Sequence, residues 1–331
     1  MPISGRLSTL ITSFRGKRLV VFGDLIADEY VYGRVARVSR EAPVLILEYD
    51  ATEVVPGGAG NAANNVASLG ATVTLVSLVG RDEPGRRLFK VLPKGVERTG
   101  LARPGGYRTP IKTRILAGGI HSAKQQVVRI DRFTAEPVSD SHRQAAEQAA
   151  RKAVKGADAV LVSDYGSGLV TPKFVHELAG LIGKTTPILI DSRYALTKYR
   201  GLTACTPNES EVEQVLGVTI DDRAAVLERA GRALLKRTRM QAVLVTRGSR
   251  GMALFENGKK TVHIPIFGSD QIADVTGAGD TVMATMTLAL ASGATFEEAA
   301  RLANFAGGLV VMKRGTATVS AAELRRAVTH G

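Results

Sequence analysis

The sequence predicts an α/β fold, a mostly parallel sheet covered by helices, with a small β-sheet inserted as a lid. Two observations predict it. Short β-branched runs are followed by turn residues and then by helix-patterned stretches, the alternation expected of a parallel sheet. Two other stretches, 29–50 and 107–130, lack helical periodicity and interrupt that rhythm with alternating or β-branched residues.

Taken in order, strands are expected at 18–23, 72–79, 159–163, 187–191, 202–205 and 242–246, all short and most of them rich in Val, Ile or Leu. Helices are expected at 61–69, 84–92, 141–154, 172–182 and 223–236, and two longer ones at 277–291 and 296–312 complete the core. The domain reading is a core of 1–28, 51–106 and 131–331, with 29–50 and 107–130 forming the lid. Ligands in open α/β sheets bind beyond the carboxyl ends of the strands, so a sheet inserted there would cover the site.

The chain has 331 residues, 44% of them hydrophobic and 23% charged, a globular rather than a disordered mix. Lys and Arg number 44 against 31 Asp and Glu, a formal charge of +13 that suits an anionic ligand. Nucleic acid is not expected, because aromatics are only 5% and no zinc finger, stacking signature or sustained basic helix is present. Cys205 is the single cysteine, which excludes an intrachain disulfide and a multi-cysteine metal site and fits a reducing cytoplasm. The first 17 residues have no apolar core of a signal peptide, and the apolar run at 282–291 is too short to span a bilayer, so no membrane association is expected.

The strongest chemical signal is Asp274-Val275-Thr276-Gly277-Ala278-Gly279-Asp280, which leads straight into an apolar helical run. Glycines let the backbone approach a ligand closely, and N–H groups at a helix start favour an anion. An acid just past the last glycine, Asp280, would repel a static phosphate but is placed to take a proton from an attacking hydroxyl. The competing explanation is a capped helix after a glycine turn. The segment lacks the Gly-Lys-Ser/Thr of a P-loop and the later ribose-binding acid of a dinucleotide fingerprint.

A second signal is Thr206-Pro207-Asn208-Glu209-Ser210-Glu211. Asn208 and Glu211, three apart, share a helix face and carry oxygens suited to a hard cation held through water, such as Mg²⁺ on ATP phosphates. The same spacing also describes a capping box.

Gly57-Gly58 with Asn61, then Asn208 and Glu211, Thr246-Arg247-Gly248 and the 274–280 motif occur in the order found in the ribokinase-like (PfkB) carbohydrate kinases, which this chain resembles from about 19 to 328. It is similar more closely to the D-glycero-D-manno-heptose 7-phosphate kinases of ADP-heptose synthesis. That likeness rests on Gly23-Asp24, the stretch 37–44 (RVSREAPV), Pro56 to Ala59, the stretch 124–131 (KQQVVRID), Ser163-Asp164-Tyr165 and Gly315-Thr316.

The resemblance implies a three-layer α/β/α architecture and a set of roles. Asp280 would be the base, with the amides of Gly277, Ala278 and Gly279 stabilising the transferring phosphoryl group. Asp274 and Thr276 would hold a monovalent cation, K⁺ being the candidate. Asp24, Gly57, Gly58, Asn61 and Asp164 would meet the sugar, and Asn208, Glu211, Thr246, Gly248 and Asn304 the Mg-ATP. For Asp24 a turn carboxylate at a strand end is the alternative.

A substrate that already bears a phosphate needs positive charge, for which Lys112, Arg114, Lys124 and Arg129 on the inserted stretches are candidates. They could equally solvate an edge of the small sheet. That sheet also offers a surface for a homodimer.

Two departures stand out. Asp191-Ser192-Arg193 replaces the expected Asp-Pro-Lys, and the nucleotidyltransferase domain of bifunctional relatives does not follow, so the next step is expected from a separate protein. The rival readings are a kinase of the same build acting on another sugar, sugar phosphate or nucleoside, and a non-catalytic sensor on the same fold.

Overall fold

The run Leu19-Val20-Val21-Phe22 is buried on both sides, as a central parallel strand requires: Leu19 and Val21 join one apolar cluster, Val20 and Phe22 another. The computed structural model describes residues 3–118, 124–133, 138–221, 223–268, 274–313 and 315–330. Residues 119–123 of the second insertion lie outside them.

Helix α1 (Ile3–Thr12) precedes β1 (Arg18–Gly23). The chain leaves the core for β2 (Leu25–Val38) and β3 (Leu45–Gly58), and returns through α2 (Ala59–Ser68), β4 (Thr72–Leu78), α3 (Glu83–Val91) and β5 (Val96–Ala102). A second excursion forms β6 (Ile111–Gly118) and β7 (Gln125–Arg132). The core resumes with α4 (Asp140–Ala153), β8 (Ala159–Asp164), α5 (Pro172–Leu181), β9 (Ile188–Ser192), β10 (Ala204–Cys205), α6 (Glu209–Leu216), α7 (Ala224–Thr238) and β11 (Ala242–Thr246). Strands β12 (Met252–Glu256) and β13 (Val262–Ile264) follow, then α8 (Ala278–Ala291), α9 (Phe296–Val311) and α10 (Ala321–His330).

The large sheet has nine strands in the order β13-β12-β11-β10-β9-β8-β1-β4-β5. It is parallel from β5 to β11, and β12 and β13 extend it antiparallel. Apolar residues of α1, α2, α8, α9 and α10 pack on one face, and those of α4 to α7 on the other, which makes the three layers. Among the described residues no helix is long and apolar enough to cross a membrane.

The second sheet has the order β3-β2-β6-β7. Strands β2 and β3 begin before and end after the stretch 29–50, at Leu25 and Gly58, whereas β6 and β7 begin inside 107–130, at Ile111, and end just past it, at Arg132. Because side chains alternate, the register Asp28↔Lys112 and Tyr30↔Arg114 puts these four residues on one face. Glu29, Thr113 and Ile130 share the opposite face.

Candidate functional site

The strands β1, β8, β9, β10 and β11 end on the same side, and the residues just past them converge with the start of α8 and the roots of the small sheet. Gly277 adopts φ 78°, a left-handed conformation that a side chain resists, and a Cβ there would lie 2.5 Å from Asn61 Nδ2. No side chain caps α8. Of the three donors expected there, the Ala278 N–H is taken by the Val275 carbonyl at 3.2 Å. Those of Gly277 and Gly279 have no hydrogen-bond partner among the described residues, and Gly279 is exposed. Two main-chain donors therefore remain for an anion at the positive end of the helix.

Asp280 is 7% exposed. Its Oδ2 accepts from Asn61 Nδ2 at 2.8 Å and its Oδ1 from the Tyr165 hydroxyl at 3.2 Å. Burial pushes its carboxyl up to about 6, and neighbouring Asp28 adds to that, against the opposing pull of the Asn61 and Tyr165 bonds and of Lys112. Such a carboxylate is ionised at neutral pH and close enough in basicity to accept a proton.

The residues expected at the nucleotide come together. A cavity of about 330 Å³ is lined by Asn208, Thr246, Gly248, Asn304, Ala278 and Gly279, with apolar walls from Met252, Ile266 and Val282. Asn304 is held by a bond from its Nδ2 to the Pro265 carbonyl at 2.9 Å. Asn208 and Glu211 form a capping box at the start of α6: Glu211 N donates to Asn208 Oδ1 and Asn208 N to Glu211 Oε2, both at 2.9 Å. Glu211 is only half-buried, and burial raises its carboxyl. Asp191 lies within its reach: burial and then Glu211 push the Asp191 carboxyl well above the usual range, and Arg193 pulls both carboxyls down. A carboxylate near a second acid suits a cation in the space between them. Among the described residues no group of three or more His, Cys, Asp or Glu is arranged to hold a metal directly. Glu209 braces the same corner through Arg247 at 2.8 Å.

The residues expected at the sugar separate into two groups. Asp24 is buried against the turn after β8, accepting from Ser167 Oγ at 2.5 Å and Tyr165 N at 2.8 Å, with its carboxyl pushed by burial up to about 6. Asp164 accepts from Ser192 and Tyr199 hydroxyls, each at 2.7 Å, and from Gly166 N at 3.0 Å. Both carboxylates thus brace that turn, the arrangement of a strand-end carboxylate. Asn61 donates to Asp280 and to the Gly277 carbonyl, so its amide faces the acid. Gly57 and Gly58 end β3 beside it, and a Cβ at Gly57 would meet Asp28 Oδ2 at 2.2 Å.

Asp28 is the residue that sequence reasoning missed. It is 6% exposed and lies among Gly57, Lys112, Tyr165 and Asp280. Its position in the alternation of β2, on the face of Tyr30, is the signal that could have found it. In the sequence Tyr165 stands out only within the segment Ser163-Asp164-Tyr165, yet its hydroxyl donates to Asp280 directly.

Among the cations expected at a phosphate, Arg114 pairs with Asp28 at 2.6 Å. Lys124 pairs with Asp50, and Arg129 grips Asp131 through two bonds of 2.9 Å. Lys112 is different. It is 7% exposed, its Nζ stands 4.3 Å from the Tyr165 ring centroid, and it has neither hydrogen bond nor ion pair among the described residues. Burial lowers its ammonium's proton affinity. Asp274 Oδ1 accepts from Thr276 N at 2.8 Å and Oδ2 from Gly315 N at 3.1 Å, which ties the loop before α8 to the segment after α9.

Residues 17–323 match the pfkB family carbohydrate kinases. The chain belongs to this family. As a pfkB carbohydrate kinase it is a phosphotransferase, and kinases of this family use ATP with a metal. It is 41% identical over 315 residues to the "Bifunctional protein HldE" of Trichlorobacter lovleyi, covering 94% of this chain and 63% of that protein. The protein of the same name from Geobacter metallireducens is 40% identical over 321 residues, covering 96% and 64%. The chain therefore spans a little under two thirds of these relatives. In structure it is similar to Arabidopsis thaliana ribokinase complexed with ribose and ATP, TM-score 0.72 at 22% identity, covering 95% of this chain and 99% of that one. Phosphofructokinase-2 from Escherichia coli in complex with potassium has a TM-score of 0.75 at 18% identity, covering 95% and 98%. These two likenesses establish the ribokinase-like fold.

Proposed function

We propose that this kinase transfers the terminal phosphoryl group of Mg-ATP to a hydroxyl of a sugar phosphate, converting D-glycero-D-manno-heptose 7-phosphate to the 1,7-bisphosphate. The observation that carries the reading is the position of Asp280. It lies between the cavity beside Thr246 and Asn304 and Lys112, a buried residue whose ammonium has no ion pair among the described residues, next to the open N–H groups of Gly277 and Gly279.

The sugar hydroxyl would give its proton to Asp280 as its oxygen bonds to the γ-phosphorus, while the bond to the β,γ-bridging oxygen breaks and ADP departs. The Gly277 and Gly279 amides would stabilise charge on the moving phosphoryl oxygens. Mg²⁺ would sit on the ATP phosphates, held through water by Glu211 and Asn208 beside Asp191. Asp274 and Thr276 would take a monovalent cation, K⁺, that shapes the loop before α8. Asp28 and the Gly57 and Gly58 backbone would meet sugar hydroxyls. Lys112 would face the substrate's own phosphate, with Arg114 reaching it once its pairing with Asp28 opens.

The small sheet would act as the lid. Its outer face, with Val128 48% and Ile130 46% exposed, would join a second copy. Support for the heptose comes from the identity to the HldE proteins along nearly the whole chain.

ADP release across a panel of sugars tests the reading. The heptose 7-phosphate is expected to exceed the unphosphorylated heptose in kcat/KM by about 10²-fold or more, as for a site built around a charged group. Equal or better turnover of unphosphorylated sugars or of a nucleoside would replace it with the other kinase reading, and no ADP with any acceptor would favour a sensor.

A further inference from the structure

Asparagine is a poor residue for a helix, and of the three in α2 two, Asn61 and Asn65, are fully buried one turn apart. Each is satisfied in one direction only. Thr281 Oγ1, in the first turn of α8, donates to Asn65 Oδ1 at 3.0 Å. Asn65 Nδ2 donates to Asn61 Oδ1 at 3.1 Å and to the Asn61 carbonyl at 3.0 Å. Asn61 Nδ2 donates to Asp280 Oδ2 at 2.8 Å and to the Gly277 carbonyl at 3.3 Å.

A lone buried asparagine can present either its oxygen or its nitrogen to a neighbour. Here the Asn65 amide fills the Asn61 oxygen, so the Asn61 nitrogen must face the acid. Asn65 is fixed by the Asn61 main-chain carbonyl, which can only accept, and Thr281 Oγ1, which reaches both Asn65 Oδ1 at 3.0 Å and the Gly277 carbonyl at 3.2 Å, supports that orientation from the far side. The donors point one way, toward the carboxylate.

We propose that Asn65 and Thr281 are positioning residues, a buried amide relay that locks the Asn61 N–H onto Asp280 and keeps that carboxylate oriented and ionised for proton abstraction. The proposal rests on Asp280 being the base. The other groups that face Asp280 are Tyr165, which donates to it, Lys112, which favours its charge, and Asp28 and Asp191, which oppose it. The relay is a donor that burial alone would not supply.

The test is the Asp280 carboxyl titration, followed by its ¹³Cγ resonance, in Thr281→Val, Thr281→Ser and Asn65→Leu proteins, alongside the pH dependence of kcat. Thr281→Val should move the Asp280 titration upward by about half a pH unit, and Asn65→Leu by about one. Thr281→Ser, which retains the hydroxyl, should leave it unchanged. A wild-type titration in Thr281→Val and in any folded Asn65→Leu protein overturns the relay, and so does an equal shift in Thr281→Ser, which would mark a packing effect. Should the resonance shift while the acid limb of kcat stays put, the relay stands and the assignment of Asp280 as base fails.

Discussion

At Asp280 burial and hydrogen bonding act in opposite senses, and the balance decides what the residue can do. Removal from water disfavours the carboxylate, while the Asn61 and Tyr165 donors and the Lys112 charge favour it, and the result is a group near 6. A base works only when ionised, so kcat should be flat above about pH 7 and fall roughly tenfold per unit below about pH 6. An acid limb in the ordinary carboxylate range would mean that another group limits the rate. The placement of Asp280 in the first turn of α8, beside two glycines, was legible in the sequence. Asp28 was not, since it sits in a buried strand four residues past Asp24, and nothing local distinguishes the carboxylate that lines the cleft from the one that braces a turn. Asn208 and Glu211 could be read two ways, and the geometry contains the capping box at the same place where Glu211 confronts Asp191.

Among the elements, those built on long periodic or β-branched runs follow the sequence closely, and those defined by partners do not. Strand β5 (VERTGLA) is an edge with charged residues and a glycine, and β13 has three residues, so neither carries a pattern of its own. Helix α1 does carry one, Leu7, Leu10 and Ile11 facing the core, and α10 is held by its cap. Glu323 accepts from Ser320 N at 2.9 Å and pairs with Lys313 at 2.7 Å, bonds that draw its carboxyl down to about 2. Its folded value lies below its unfolded one, so the stabilisation is full above about pH 5 and vanishes as pH falls toward 2. The pair is about a third exposed, which limits its worth. Glu323→Gln should cost about 1 kcal/mol in denaturant unfolding at pH 7 and almost nothing at pH 2.5. An equal loss at both would assign the effect to packing.

For the whole molecule, the sheet supplies a rigid row of strand ends, α8 adds open N–H groups, and the small sheet brings charge over them. The alternation of strands and helices made this architecture legible. The inserted sheet's extent was not, because β2 and β3 are each 14 residues long and bulged, and their inner ends look like core strand and turn. The proposed mechanism places one acid, Asp280, between nucleotide and sugar. The most direct measurement is ADP formation by Asp280→Asn with ATP and heptose 7-phosphate, alongside ATP affinity by calorimetry. Turnover should drop by about 10³-fold or more with the ATP Kd within about twofold of wild type; turnover within tenfold of wild type would contradict the account.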